Sequence, residues 1–206
     1  MQFIRLSAIV KIQKLINMNT FQKSTADIAA WNLEGFHGIP EERIIRQIDG
    51  LTMMDAEVVA LVEINPITVL DRIKQGLLDN GLEYESHLEE QNGDLHMGVI
   101  YKKGVEVSSP RLIDNSDLGD NAKRKAFAID MKINKFDFTL IVVHLKSGRE
   151  IASQRIRDEQ AKVIFSYIQE LRSVSRRPII LTGDFNMIPG QDVSNFHHLG
   201  GPDVLD

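Results

Sequence analysis

Polar residues stand directly after four apolar, strand-like runs of this sequence, and their types suit the hydrolysis of a phosphate ester. Asn32, Glu63 and His144 each end one run, and Asp184 with Asn186 ends the last. Strand ends often carry chemistry, because rigid strands fix the side chains while loops admit a ligand. Hard oxygen ligands in a chain without cysteine suit Mg²⁺ or Mn²⁺ better than zinc or copper. A metal ion, carboxylates and a histidine together can direct water at a phosphate ester.

Each of these residues, taken singly, also has a simpler interpretation. Asn32 and Glu63 could cap a turn or a helix at the end of a strand. Asp184 and Asn186 could merely shape a turn, as Asp and Asn often do. His144 could be a structural histidine with satisfied hydrogen bonds. Their shared position at strand ends favours the functional interpretation.

Strands and helices alternate along the chain and must position these residues. Apolar, β-branched runs predict buried strands at 28–33, 57–63 and 178–182. Proline starts and apolar spacing predict helices from Pro40, from Pro66 to about Gly81, and over 150–174. Short turn-like connections predict antiparallel strands at 83–88, 97–101, 105–113, 127–133 and 138–145. We therefore expect one α/β domain in which two mixed sheets pack together with helices outside.

Composition excludes several classes of protein. The 206 residues include no cysteine, which excludes disulfides, cysteine-ligated zinc, iron–sulfur clusters and a thiol nucleophile. No apolar run approaches ~18 residues, so the sequence predicts no transmembrane helix. The net charge is −5, and all 29 acidic residues lie beyond residue 26. An acidic body argues against non-specific coating of nucleic acid, though not against a local basic site.

Residues 1–26 differ in charge from the rest of the chain, because they carry four basic residues and no acidic one. Their apolar residues outline an amphipathic helix, and residues 1–17 could contact a membrane surface. The simpler interpretation is a poorly ordered extension before a domain at 27–206. A signal peptide fits poorly, since polar residues break the apolar stretch and no small-residue cleavage site follows. This favours a cytoplasmic location.

Four motifs follow one another in a recognisable order: Trp31–Glu34, Val58–Glu63, Val143–Ser147 and Ile180–Asn186. In this respect the chain resembles the endonuclease/exonuclease/phosphatase superfamily, and is similar to deoxyribonuclease I and exonuclease III. The resemblance covers residues 27–190, about four-fifths of the chain. It implies a four-layer α/β sandwich, two packed mixed β-sheets flanked by helices, and Mg²⁺-dependent hydrolysis of phosphoesters.

The resemblance also implies a role for each strand-end residue. Glu63 would ligate the metal, and Asn32 would support it directly or through water. Asp184 would orient or deprotonate the attacking water, while Asn186 would hold the phosphate or that water. His144 would hydrogen-bond a phosphate oxygen and stabilise developing charge.

A basic cluster in the polar loop 114–125 supplies a candidate substrate contact. Arg124 could bind a substrate phosphate, although Lys123 or Lys125 would serve about as well.

The sequence departs from the superfamily pattern after Asn186. The family ends with a strand carrying Ser-Asp-His, whose histidine is catalytic, and nothing from 187 to 206 matches it. His197 and His198 lack the preceding aspartate and are more simply residues of a solvated loop. We therefore expect a domain without the family's last strand or strands, with an open sheet edge that favours association.

Three functional hypotheses follow. The first is a Mg²⁺-dependent phosphodiesterase acting on nucleic acid, with water as the nucleophile. A helix with Arg155 and Arg157 follows the His-Leu-Lys-Ser motif, and this arrangement is most similar to the bacterial nuclease-like branch. The second hypothesis keeps the chemistry but takes a phospholipid, an inositol phosphate or another small phosphoester as substrate. The third is a catalytically defective fragment that only binds.

Overall fold

The computed structural model describes residues 9–12, 26–35, 40–188 and 192. Its strands are β1 Ile9–Ile12, β2 Ala26–Asn32, β3 Val58–Ile64, β4 Tyr84–Glu89, β5 His96–Lys102, β6 Glu106–Leu112, β7 Phe127–Ile133, β8 Phe136–His144 and β9 Ile179–Asp184. Its helices are α1 Glu41–Met54, α2 Thr68–Asp79 and α3 Ile151–Val174. From residue 26 onwards this order agrees with the predicted one.

Two mixed sheets form the centre of the fold. The first has the strand order β1-β2-β3-β5-β4 and the second the order β6-β7-β8-β9. The β2–β3 and β8–β9 pairs are parallel, and α1 and α3 make the crossovers that parallel neighbours require. The other pairs are antiparallel. The predicted arrangement of two mixed sheets is confirmed.

The facing surfaces of the two sheets share one apolar core. β3 contributes Val58, Ala60 and Val62 to this core, and β8 contributes Leu140 and Val142. The outer face of the first sheet packs on α1 and α2, and that of the second packs on α3. Because both faces of each sheet are covered, β3 and β8 are almost continuously buried. The four layers are therefore helix, sheet, sheet and helix.

The segment 9–12 differs from the expected conformation. The pattern of residues 1–26 favoured an amphipathic helix or a poorly ordered extension, but residues 9–12 form β1, antiparallel to β2. Their β-branched composition favours a strand, and pairing satisfies backbone groups along the edge of β2. The rest of residues 1–25 lies outside the described residues, so the predicted membrane-surface contact stays a prediction. None of the three described helices is long and apolar enough to cross a membrane.

The last described strand, β9, lies where the sequence predicted an open sheet edge. Among the described residues, β9 is at the edge of the second sheet and pairs only with β8. His197 and His198 lie outside the described residues. Association through the edge of β9 stays a prediction.

The carboxyl ends of β2, β3, β8 and β9 meet at one end of the sandwich. Asn32 pairs in register with Val62, the residue before Glu63, and His144 pairs with Asp184. β9 packs against β2 and β3 across the sandwich. The fold thus brings the strand-end residues of both sheets to one place.

Candidate active site

Asn32 joins the two carboxylates of the cluster. Its Nδ2 donates a hydrogen bond to Glu63 Oε1 at 3.0 Å and another to Asp184 Oδ2 at 2.8 Å. Its Oδ1 accepts a hydrogen bond from the backbone N–H of Glu34 at 2.7 Å, which defines the orientation of the amide. Asn32 therefore links a carboxylate of the first sheet to a carboxylate of the second.

Helix α1 anchors the loop that follows Asn32. Arg43 donates hydrogen bonds to the backbone carbonyls of Leu33, Glu34 and Gly35, and Gln47 donates to that of Leu33. These contacts satisfy carbonyls that leave the sheet ladder at the end of β2. The position of Asn32 is thereby tied to a helix as well as to its strand.

Glu63 occupies an irregular position in β3. Its φ is +61°, in the left-handed region, and the pairing of β3 with β5 shifts register between Val62 and Ile64. A bulge of this kind turns a side chain out of the regular alternation of a strand. The Glu63 side chain is 23% exposed, although both of its neighbours are buried. Backbone strain at a partly open carboxylate is typical of a functional position.

Asp184 ends β9, and Asn186 lies in the turn that follows. Gly183 has a φ of +126°, and a Cβ at this position would collide with the backbone of Val143. Asn186 adopts a left-handed φ of +49°, and its backbone N–H donates to Asp184 Oδ1 at 2.8 Å. Its side-chain Nδ2 donates to the carbonyl of Leu145 at 3.0 Å. Asn186 thus connects the β9 turn to the loop that follows His144.

His144 is buried between the carboxylates and a guanidinium. Its Nε2 lies 3.4 Å from Glu63 Oε1, and the side chain is only 2% exposed. Burial, followed by the positive charge of Arg124, lowers the pKa of His144 to about 4, although Asp184 and Asp120 act in the opposite direction. The imidazole is therefore neutral at pH 7 and can donate one hydrogen bond and accept another.

Arg124, the candidate substrate contact in the polar loop, is buried against His144. Its Nε donates to Asp120 Oδ2 at 2.9 Å, and its Nη1 lies 2.8 Å from His144 Nε2. The guanidinium is 3% exposed because Asp120 offsets its charge in the interior. Lys123 and Lys125 are the more exposed cations of this loop. The contact of Arg124 with a substrate phosphate stays a prediction.

Asp120 is a site residue that sequence reasoning missed. Burial raises the pKa of Asp120, but the ion pair with Arg124 and a hydrogen bond from the Ala122 backbone N–H together outweigh burial and hold the pKa below its ordinary value. The polar loop also contains Asp114 and Asp117. The only signal that distinguishes Asp120 is its spacing of four residues from Arg124, which indicates contact in a helix but not in a loop.

The donor set at this end of the sandwich fits Mg²⁺. Mg²⁺ typically keeps several waters and binds one or two carboxylates, so the partly exposed Glu63 suffices as a first protein ligand. Asn32 directs its nitrogen at Glu63, so it would orient that carboxylate and not ligate the cation. Within the part of the chain that the structure describes, no group of three or more Asp, Glu, His or Cys side chains is arranged around a metal position.

This four-layer sandwich is the fold of the endonuclease/exonuclease/phosphatase superfamily, as the order of the four motifs implied. Three solved structures illustrate the match. D. rerio TDP2 in complex with a single-strand DNA product is 19% identical with a TM-score of 0.69, and the alignment covers 86% of this chain and 66% of that one. The catalytic domain of human Nocturnin with bound sulfate is 18% identical with a TM-score of 0.66, covering 82% and 67%.

The third structure is an endonuclease/exonuclease/phosphatase family protein from Bacteroides thetaiotaomicron. It is 17% identical with a TM-score of 0.68, and the alignment covers 84% of this chain and 65% of that one. No protein-family model and no curated protein matches the sequence. The chain spans about two thirds or less of the length of these solved proteins. At these identities the comparison shows the fold.

Proposed function

We propose that this protein is a divalent-metal-dependent phosphodiesterase that hydrolyses nucleic acid with water as the nucleophile. The observation that carries the proposal is the convergence of Asn32, Glu63, His144 and Asp184 from four strands of two sheets on one end of the sandwich. Four polar groups with satisfied contacts at a shared strand end are the pattern of a built site.

Glu63 would hold the cation, with Asn32 orienting its carboxylate. A bound Mg²⁺ or Mn²⁺ would supply Lewis-acid stabilisation of charge on the phosphoryl oxygens. Asp184 would orient the attacking water or accept its proton, and the hydrogen bonds that Asn32 and the Asn186 backbone donate to its two oxygens would fix the carboxylate in position.

His144 and Asn186 would hold the substrate phosphate. Because His144 is neutral, it would contribute a hydrogen bond to a phosphoryl oxygen and not a second cation. The side-chain amide of Asn186 is oriented by the carbonyl of Leu145, which places it beside the His144 loop. Lys123 and Lys125, which flank the buried Arg124 in the chain, are the other candidates for contact with a substrate phosphate.

Nucleic acid is preferred as the substrate because the TDP2 structure with this fold contains a single-strand DNA product. A small phosphoester or a phospholipid is the second candidate. It is favoured by the acidic body of the chain, which resists a long polyanion, and by the Nocturnin structure, in which the bound anion is a single sulfate.

Nicking of supercoiled plasmid in Mg²⁺, with an EDTA control, tests the proposal. Asp184→Ala should lower the rate by at least about 100-fold, as expected for loss of a general base. Asp137→Ala is the matched control, because Asp137 lies at the opposite end of β8 and its side chain is 51% exposed. Cleavage of phosphatidylinositol phosphate vesicles or bis(p-nitrophenyl) phosphate, without cleavage of plasmid, would favour the second candidate.

A protein that only binds is distinguished by Glu63→Ala. Under the proposed function this variant binds a single-stranded oligonucleotide in anisotropy titrations but loses turnover. If neither the native chain nor the variant cleaves any of these substrates while both bind the oligonucleotide equally, the hydrolase proposal is wrong.

A further inference from the structure

Arg157 is a fully buried arginine in the second turn of α3, a helix that packs on the second sheet mainly through apolar residues. Its exposure is 0%, and it lies on the same buried face of α3 as Ala161, Ile164 and Ile168. Its guanidinium forms a forked ion pair with Asp192, with Nε at 3.0 Å from Oδ1 and Nη2 at 3.1 Å from Oδ2. A buried pair of this kind is weak support for stability, since desolvation opposes it.

The same guanidinium holds the loop that follows His144. Arg157 Nη1 donates to the carbonyl of Lys146 and to that of Gly148, each at 2.8 Å. One turn later on α3, Gln160 Oε1 accepts a hydrogen bond from the backbone N–H of Lys146 at 2.9 Å. Helix α3 therefore positions this loop through backbone groups within four residues of His144.

Asp192 connects Arg157 to the second loop of the site. Asp192 Oδ2 also accepts a hydrogen bond from the backbone N–H of Ile188 at 2.8 Å, in the segment that follows Asn186. The Asn186 side chain in turn donates to the carbonyl of Leu145. Arg157 thus contacts one loop directly and the other through Asp192, and the two loops meet at Asn186 and Leu145.

We propose that Arg157 is a positioning residue for the candidate active site, and that its contacts with Asp192 and with the Lys146 and Gly148 carbonyls set the separation of two loops, the one that follows His144 and the one that carries Asn186. The inference rests on the proposed function for its kinetic consequence, but its structural part does not. A lysine at this position would keep the charge but could not make all four contacts in one plane. The two loops would then no longer be held by the same guanidinium, and their separation would change.

Arg157→Lys is the test, with Arg177→Lys as the matched control. Arg177 makes ion pairs with Asp130 and Asp137 at the opposite end of the second sheet, so the same substitution there changes a guanidinium that binds carboxylates far from the site. We expect Arg157→Lys to lower kcat for the cleaved substrate by up to about 100-fold, as small misplacements of reacting groups do, while KM changes by less than about threefold. Arg177→Lys should leave both parameters near the native values.

Heteronuclear NMR gives a readout that does not require activity. In Arg157→Lys, the ring resonances of His144 and the side-chain amide of Asn186 should shift, whereas in Arg177→Lys they should not. Asp192→Asn keeps the shape of the side chain that Arg157 binds and should shift the same signals. This variant replaces Arg157→Lys in the test if Arg157→Lys does not fold. Unchanged His144 and Asn186 signals would overturn the inference, as would a native kcat in a folded Arg157→Lys protein. Absence of cleavage by the native chain would defeat the proposed function and leave the NMR result to decide this inference.

Discussion

Asn32 donates a hydrogen bond to Asp184 across the interface between the two sheets, 2.8 Å from Nδ2 to Oδ2, while the same nitrogen donates to Glu63. The two residues are 152 positions apart in the chain. One amide therefore determines how the carboxylate of β3 lies relative to that of β9. The candidate site depends on the packing of the sheets as much as on the residues themselves.

Asn32→Ala should weaken the binding of Mg²⁺ or Mn²⁺ by about 10- to 100-fold, because it removes the group that orients Glu63. The free energy of unfolding should also fall, by more than the ~1 kcal/mol net value of a single hydrogen bond, because Asn32 makes three hydrogen bonds and two of them are to carboxylates. Titration calorimetry measures the first effect and urea unfolding the second. Asn121→Ala, at an exposed loop position, is the control. Native metal affinity in Asn32→Ala would contradict the orienting role.

Arg124→Gln should destabilise the protein by about 3–5 kcal/mol, because it leaves the carboxylate of Asp120, which is 0% exposed, without its charged partner. Asp120→Asn combined with Arg124→Gln should recover part of this loss, since the double variant buries no unpaired charge. Urea unfolding of the two single variants and the double variant completes the cycle. Strictly additive effects would show that the two residues do not act as a pair.

Gly183→Ala should lower the free energy of unfolding by clearly more than the 1–2 kcal/mol that a left-handed conformation costs an L-residue. Gly183 has a φ of +126°, and the Cβ that alanine adds would also collide with the backbone of Val143. Gly81→Ala is the control, because Gly81 has a φ of +81° and open space around the Cβ position. Thermal or urea unfolding of the two variants measures both losses, and their difference is the contribution of the steric collision. Equal losses in the two variants would contradict the close approach of β9 to β8.

The free energy of unfolding should fall in acid because Asp130 becomes protonated and loses its ion pairs. Burial raises its pKa, but hydrogen bonds from Thr139 and Arg177 and the charge of Arg111 outweigh burial and lower the pKa below its ordinary value. A lowered pKa in the folded state contributes stability above the unfolded-state pKa of about 3.9, and this contribution is lost as the pH falls through the folded-state pKa.

Urea unfolding of the native chain and Asp130→Asn between pH 7 and pH 3 measures this contribution. The difference between the two proteins should be constant near neutral pH and should shrink below about pH 4. Asp114→Asn is the control, because the Asp114 side chain is 89% exposed. A difference that does not change with pH would show that the ion pairs of Asp130 contribute nothing to stability.

The strands that carry the site could be predicted because their signal is local. The run at 57–63 is apolar and β-branched, and the hydrophobic effect buries such a run wherever it lies in a sandwich. The same holds for the strands before His144 and Asp184, whose polar ends stand out against their apolar neighbours. The residues that converge on the site were therefore visible in the sequence, as was the two-sheet architecture.

Contacts between distant segments have no such local signal. Whether Arg124 lies on the surface or beneath His144 depends on the burial of Asp120 beside it, and neither residue lies in a strand or a helix. The bulge that turns Glu63 outward depends on its pairing with β5. Residues 9–12 form a strand because the edge of β2 offers them unpaired backbone groups.

The sequence by itself determined which side chains stand at the strand ends, because a continuous apolar run and the polar residue that ends it are recognised within a few positions. Only the tertiary structure decided that the Asn32 amide presents its nitrogen to two carboxylates, and that Arg157 and Asp192 join the loops beyond His144 and Asp184. Hydrogen bonds and buried ion pairs are directional and short-ranged. Their partners are therefore defined only when packing has placed the strands and helices that carry them.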